Sequence, residues 1–169
     1  LPALPAMSGP RPQRAVLLVG SPRTRNSTSH ALGTYLLEQL ATQGIATTTL
    51  QVYPAASSPS KLAALCAAVE AADLAILAFP LYVDGLPAPV VAVLEKLALH
   101  RLAQPSPTRL VAIANCGFPE ASHNEVALAI CAQFAQAAGL GWAGQLALGA
   151  GQGIVHGTPL AELGGQGMG

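Results

Sequence analysis

The sequence is short of charge. Lysine and arginine together number eight, aspartate and glutamate number eight, and charged residues make up 9% of 169 positions. An average globular chain carries about 25%. The net charge is zero. A nucleic-acid binder needs a basic footprint, so the balance argues against that partner. It argues equally against the acidic surface of an electron carrier. Cysteine is scarce too. Cys66, Cys116 and Cys131 are odd in number and far apart, which leaves no disulfide framework and no zinc-ligand spacing. A reducing, cytoplasmic setting is the expectation. Long apolar runs are missing as well. The longest, Leu74 to Val83, is half the ~20 residues that a membrane helix needs. It reads as a buried strand with its exit loop. Leu1 to Pro12 holds four prolines and no apolar core of a signal peptide, and Met7 is a candidate start.

What is present is grease. Apolar residues make up 51% of the chain, enough for one domain that buries roughly 70% of its unfolded surface. Low charge favours association, so a homodimer or homotetramer is expected. The hydrophobic pattern alternates strand and helix, which predicts a parallel sheet covered on both faces. Strands are expected at 15–20, 46–53, 74–79, 110–115 and 142–148. Helices are expected at 27–43, 60–71, from 89 onward, and at 124–138. The first helix should bury Leu32, Tyr35, Leu36 and Leu40, with Gly44 as its stop. The second should bury Leu62, Leu65, Cys66 and Val69. The third, which Pro89 can open, should bury Val90, Val93, Leu94 and Leu97. The fourth should bury Val126, Ile130 and Phe134, with Cys131 on a core stripe, and Gly139 ends it. Pro54 to Pro59 reads as a turn. Thr47, Thr48 and Thr49 make the second strand polar, as suits a sheet edge.

The organisation expected is a flexible segment over 1–14, one domain over 15–154 and a glycine-rich tail over 155–169. Gly149 to Gly169 holds eight glycines and shows no helix to close the fifth repeat. Either the chain stops short there or a partner subunit covers that face. The Gly149-Ala150-Gly151-Gln152-Gly153 run reads as a flexible exit loop over the ligand.

Chemistry gathers where an open parallel sheet places it, beyond the carboxyl ends of central strands. The first such loop is Gly20-Ser21-Pro22-Arg23-Thr24-Arg25-Asn26-Ser27-Thr28-Ser29. A strand feeding a hydroxyl-rich loop feeding a helix suits a phosphate. The helix start offers unpaired N–H groups and the positive end of the dipole. Ser21, Ser27, Thr28 and Ser29 add hydroxyls, and Arg23 and Arg25 add charge. GxxxxGK[ST] and GxGxxG are both absent, so a terminal monophosphate fits better than a triphosphate or pyrophosphate. A second loop runs from Pro80 to Pro87 with Tyr82, Asp84 and Gly85 inside it. A third is Asn115-Cys116-Gly117-Phe118-Pro119-Glu120.

These three loops, GSPRxxNSTS, PxYxxGxP and NCGFPE, resemble those of the flavodoxin-like NAD(P)H-dependent FMN reductase family over roughly Ala15 to Ile154. The resemblance implies a three-layer α/β sandwich with strand order 2-1-3-4-5. It implies noncovalent FMN, with NADPH or NADH as cosubstrate and a small-molecule electron acceptor. Ser21, Arg23, Asn26, Ser27, Thr28 and Ser29 would hold the phosphate, with only one of Arg23 and Arg25 required. Pro80, Leu81, Tyr82, Val83, Asp84 and Gly85 would line the isoalloxazine ring. Asn115, Cys116, Gly117 and Phe118 would approach its other edge. The flavin performs the hydride chemistry, so no catalytic side chain and no metal is implied. The cysteine cluster of the family's iron–sulfur branch is absent.

Plainer readings stand beside these. One serine of the first loop could be only a helix cap, though five such residues exceed what a cap needs. Tyr82 could be an ordinary surface aromatic and Asp84 a turn residue. Cys116 is either a small loop residue or, with His123 seven positions on, a nucleophile. Cys66 and Cys131 read as packing. His30, His100 and His156 read as surface or capping residues, and Trp142 as core or interface. Glu120 and His123 are candidates for orienting the ring or the nicotinamide. The rivals to a reductase are a noncatalytic flavodoxin-type carrier, a Cys116-dependent hydrolase and a ligand-free subunit.

Overall fold

A stretch such as Val16-Leu17-Leu18-Val19 has no polar face and belongs inside a sheet covered on both sides. In the computed structural model, which describes residues 10–151, it lies in β1 (Arg14–Val19), buried from Ala15 onward. Equally apolar β3 (Leu74–Pro80) pairs with β1, and β4 (Arg109–Asn115) pairs with β3. The sheet is completed by β2 (Ala46–Gln51) and β5 (Gly141–Leu148). All pairings are parallel, in the order β2-β1-β3-β4-β5. The threonines of β2 lie at an edge, where both faces reach solvent.

One layer is α1 (Thr28–Thr42), whose Leu37 packs on Leu17, Val19, Ile76 and Ala78. The opposite layer holds α2 (Val52–Ser57), α3 (Pro59–Ala71), α4 (Ala88–Ala103) and α5 (Glu125–Ala137), packed on Val16, Leu18, Leu77, Phe79 and Ala112. This is the flavodoxin-like sandwich expected. No helix among the described residues is long and apolar enough to cross a membrane.

Four expectations change. Pro54 to Pro59 is largely helix α2 rather than a turn, and β2 stops at Gln51 instead of Tyr53. Pro54 sits in the first turn of α2, where its missing N–H costs nothing. In α1 Leu32, Leu36 and Leu40 pack half-buried against the core as expected, but the fully buried line runs through Gly33 and Leu37, and Tyr35 is exposed. A Cβ on Gly33 would collide with Leu17, so the helix lies closest to the sheet where it has no side chain. In α5 the buried line is Ala127, Leu128, Cys131 and Ala135, with Val126 and Ile130 outward and Phe134 half-buried. Nearly every position in that helix is apolar, so periodicity could not choose its face. Trp142 lies partly exposed on edge strand β5. Cys66 and Cys131 are core residues, and burial pushes the Cys131 thiol up to about 12.

Gly44 and Gly139 end α1 and α5 with φ of 83° and 64°, the left-handed stop that glycine permits. Pro10 to Arg14, the described end of the amino-terminal segment, is fastened. Asp73 accepts from the Gln13 and Arg14 amides at 2.8 and 2.9 Å, and Arg11 donates to the Gln43 carbonyl at 2.8 Å. The tail and the closing-helix expectation, apart from Gly149–Gly151, lie outside the described residues.

The far end of the sheet is pinned by Arg101. Its guanidinium is buried, and burial lowers its pKa. It donates to the carbonyls of Ala138 (2.8 Å), Gly139 (3.2 Å) and Ser106 (2.8 Å) and to the Ser106 hydroxyl (3.0 Å). These carbonyls end α5 and shape the loop into β4, so the cation also meets the negative end of a helix dipole. Arg101→Ala should lower unfolding free energy by about 2–4 kcal/mol in urea denaturation, because it strands several buried carbonyls.

Candidate active site

The loops leaving β1, β3 and β4 surround one cavity of about 510 Å3. Its walls are Ser21, Arg23, Ser27, Thr28 and Ser29 from the first loop, Pro80, Leu81 and Tyr82 from the second, and Asn115, Cys116 and Gly117 from the third. Gly151 contributes a fourth side. The first loop starts under close constraint. A Cβ on Gly20 would lie 2.9 Å from Val90, and the Gly20 amide donates to Ala78 at 2.7 Å. The loop then folds back through Thr24 N–H to Ser21 O and enters α1 at Ser27.

Hydrogen bonds sort the four hydroxyls. Ser27 Oγ donates to Thr24 O (2.7 Å) and accepts from the His30 amide (3.1 Å), so it is the cap of α1. Thr28 Oγ1 donates to Gly151 O at 2.9 Å. Both have spent their proton. Ser21 Oγ instead accepts, from the Arg23 amide at 3.3 Å, and Ser29 Oγ accepts from Asn115 Nδ2 at 2.9 Å. Each keeps its proton for something in the cavity. The amides of Thr28 and Ser29 open α1 and have no carbonyl one turn back. Burial, and then the charge of Arg25, push His30 below the usual imidazole value. Arg23 is the cation in the cavity wall.

Asn115 Nδ2 donates to Ser29 Oγ and also to Phe79 O at 3.1 Å, joining the start of α1 to the end of β3. Cys116 N–H donates to Leu148 O, and the amides of Ala150 and Gly151 donate to the carbonyls of Phe118 and Cys116. Asn124, fully buried, donates to Ala121 O (3.1 Å), Leu148 O (3.3 Å) and Cys116 Sγ (3.4 Å). Sequence reasoning missed Asn124, because nothing in the residue order joins it to the β4 exit, whereas Gly151 belongs to the run expected over the ligand and does form part of the wall. His123 does not bond to Cys116. It stacks on Phe118, centroids 4.5 Å apart, and lies 3.8 Å from Glu120.

Five of the implied ligand residues are not in the cavity wall: Asn26, Val83, Asp84, Gly85 and Phe118. Asn26 and Arg25 are exposed on the short turn before α1. Tyr82 and Gly85 exchange both backbone hydrogen bonds, at 2.9 and 3.0 Å. Val83 and Asp84 form the tip of that hairpin, with φ of 47° and 59°, the signs of a type I′ turn. For branched Val83 this left-handed conformation costs about 1–2 kcal/mol.

Cofactor-sized ligands occupy cavities of about 300–1,000 Å3. A phosphate-grade donor cluster at one side and an apolar wall of Leu81 and Tyr82 at another fit FMN. The family model described as NADPH-dependent FMN reductase matches residues 14–147. The chain belongs to this family. It is an NAD(P)H-dependent flavin oxidoreductase with FMN as its cofactor. No curated protein matches the sequence. Among solved structures, the FMN reductase chain is similar to an NAD(P)H:quinone oxidoreductase from Methanothermobacter marburgensis, with TM-score 0.65 and 15% identity over 89% of this chain and 88% of that one. It is similar to the Trp repressor binding protein of Bacillus subtilis, with TM-score 0.62 and 13% identity over 87% and 89%. An NADH:FMN oxidoreductase in its apo form gives TM-score 0.55 and 18% identity over 79% and 75%. Likeness at these identities concerns the fold.

The hydroxyl assignments separate two serines that look alike in sequence. Ser29→Ala should weaken FMN affinity by about 1–2 kcal/mol. Ser27→Ala should lower stability by about 1 kcal/mol as a lost cap while FMN affinity holds within about twofold. Flavin fluorescence titration and thermal melting read the two effects.

Proposed function

We propose that this reductase moves hydride from NAD(P)H to a small acceptor such as free flavin or a quinone, with FMN held in the cavity at the strand ends. One observation carries the reading. Spare donors at the start of α1 and the apolar wall of the β3 exit converge on a single cavity. Ser21 Oγ, Ser29 Oγ and the Thr28 and Ser29 amides would bind the phosphate oxygens, and the Arg23 guanidinium would balance their charge. Leu81 and Tyr82 would pack on the ring, and the Cys116–Gly117 backbone would meet its opposite edge. When bound, FMN supplies the two-electron chemistry.

Nothing else in the wall demands an acid, base or nucleophile. Cys116 Sγ is buried against the Asn124 amide, and among the described residues no imidazole bonds to it. The neutral surface favours an enzyme over an acidic carrier. Exposed Leu99, Leu102, Val126 and Ile130 favour a homodimer or homotetramer.

Purified protein mixed with FMN should quench flavin fluorescence. Adding NADPH or NADH without oxygen should then bleach the flavin absorbance band. FMN uptake without bleaching by either nucleotide would make the chain a carrier. Arg23→Ala should weaken FMN binding by about 1–3 kcal/mol in the same titration, and Arg25→Ala should not.

A further inference from the structure

Asn124 departs from the usual role of its residue type. It stands immediately before α5, where an asparagine side chain ordinarily caps the helix, yet it makes no cap bond. It is fully buried. Its amide nitrogen turns instead to Ala121 O at 3.1 Å, Leu148 O at 3.3 Å and Cys116 Sγ at 3.4 Å. Its Oδ1 is left buried with no partner among the described residues. The chain thus forgoes a cap and strands an acceptor, and both choices cost stability. Departures of this kind concentrate at functional sites.

The groups that Asn124 holds lead to the cavity. Cys116 and Gly117 belong to its wall. The segment after β5 engages the same loop bond by bond. Leu148 O accepts from the Cys116 amide (3.0 Å), Phe118 O from the Ala150 amide (2.6 Å) and Cys116 O from the Gly151 amide (2.8 Å). Leu148 O is also the carbonyl that Asn124 reaches, so side chain and strand end grip one point. The fit is close, since a Cβ on Gly149 would collide with Pro119 O. The Gly117 N–H is the group left over. No acceptor among the described residues takes it. An unpaired N–H in a cavity wall is a donor for the ligand.

We propose that Asn124 is a positioning residue: with the Gly149–Gly151 segment it fixes the Gly117 N–H for the flavin ring, and so sets how strongly reduced FMN is favoured over oxidised FMN. The inference rests on the reading of the cavity as the FMN site. Asn124 is not itself in the cavity wall; it acts through Cys116 and Leu148. Only the pyrimidine edge of the ring is rich in hydrogen-bond acceptors, so a free amide suits that edge. Uptake of one hydride, two electrons with one proton, leaves the ring an anion with its charge on the same edge. A donor fixed there binds the reduced ring more tightly than the oxidised one.

The test uses the whole chain loaded with FMN and reads the two-electron midpoint potential against a reference dye, with thermal melting alongside. Asn124→Ala frees the loop from one side, and Gly149→Ala disturbs it from the β5 side. Each should cut the preference for reduced over oxidised FMN about tenfold, a fall of about 30 mV. The double variant should fall no further than the larger single change, because both act on one loop. Asn124→Ser can cap α5 without the ties, so it should melt no lower than Asn124→Ala and keep the low potential. Arg101→Ala, at the other end of the sheet, should lower the melting temperature and leave the potential alone. If Asn124→Ala does not fold, Asn124→Ser and Gly149→Ala decide. A wild-type potential in those two overturns the proposal. So does an equal fall in Arg101→Ala, which would make the shift a general effect of lost stability. Wild-type protein that takes up no FMN ends the functional reading and this inference together, whereas bound FMN with unshifted variants ends this inference alone.

Discussion

The Asn115 amide is the hinge pin of the site. Its two protons are given to Ser29 Oγ and to Phe79 O, so the ends of β3 and β4 and the first turn of α1 share one side chain. The bond to Ser29 also decides the direction of the serine proton. A hydroxyl that accepts from an amide turns its own hydrogen elsewhere, and here the cavity is what remains. The buried amide thus orders both the wall and its donor chemistry.

Around that pin the fold does little that is unusual. Close approach of α1 to β1 at Gly33 brings the positive end of the helix over the strand exits. The segment after β5 then crosses back. Gly151 takes a hydrogen bond from Thr28 and gives one to Cys116, and Asn124 ties the β4 exit to the end of β5. A cavity walled by backbone and hydroxyl groups depends on this rigidity, because few charges are present to enforce geometry.

Much of this was legible in the residue order. Apolar β1 and β3, threonine-rich β2 and the glycine stops announced a doubly wound sheet with β2 at its edge. The loops at 21–29, 80–87 and 115–118 were legible because their residue types are wrong for ordinary turns. The outward face of α5 was not, since Val126 and Ile130 compete with alanines and Cys131 of similar hydropathy. Helix α2 was hidden behind Pro54, which signals a turn unless it falls in a first helical turn. Asn26 and Arg25 look equal to Arg23 in sequence but lie exposed on the short turn before α1, outside the cavity wall.

Local chemistry by itself determined which segments are strands, where the helices stop and that a hydroxyl-rich turn precedes a helix. These follow from side-chain size, polarity and the φ that each residue tolerates, all properties of neighbours along the chain. Tertiary structure alone decided which serine is a cap and which a donor, that Thr28 closes on Gly151, and that Val83 stands outside the pocket. Those outcomes depend on partners such as Asn115, distant by 86 positions from Ser29. A hydroxyl's role is set by whichever group reaches it, and only folding brings those groups together.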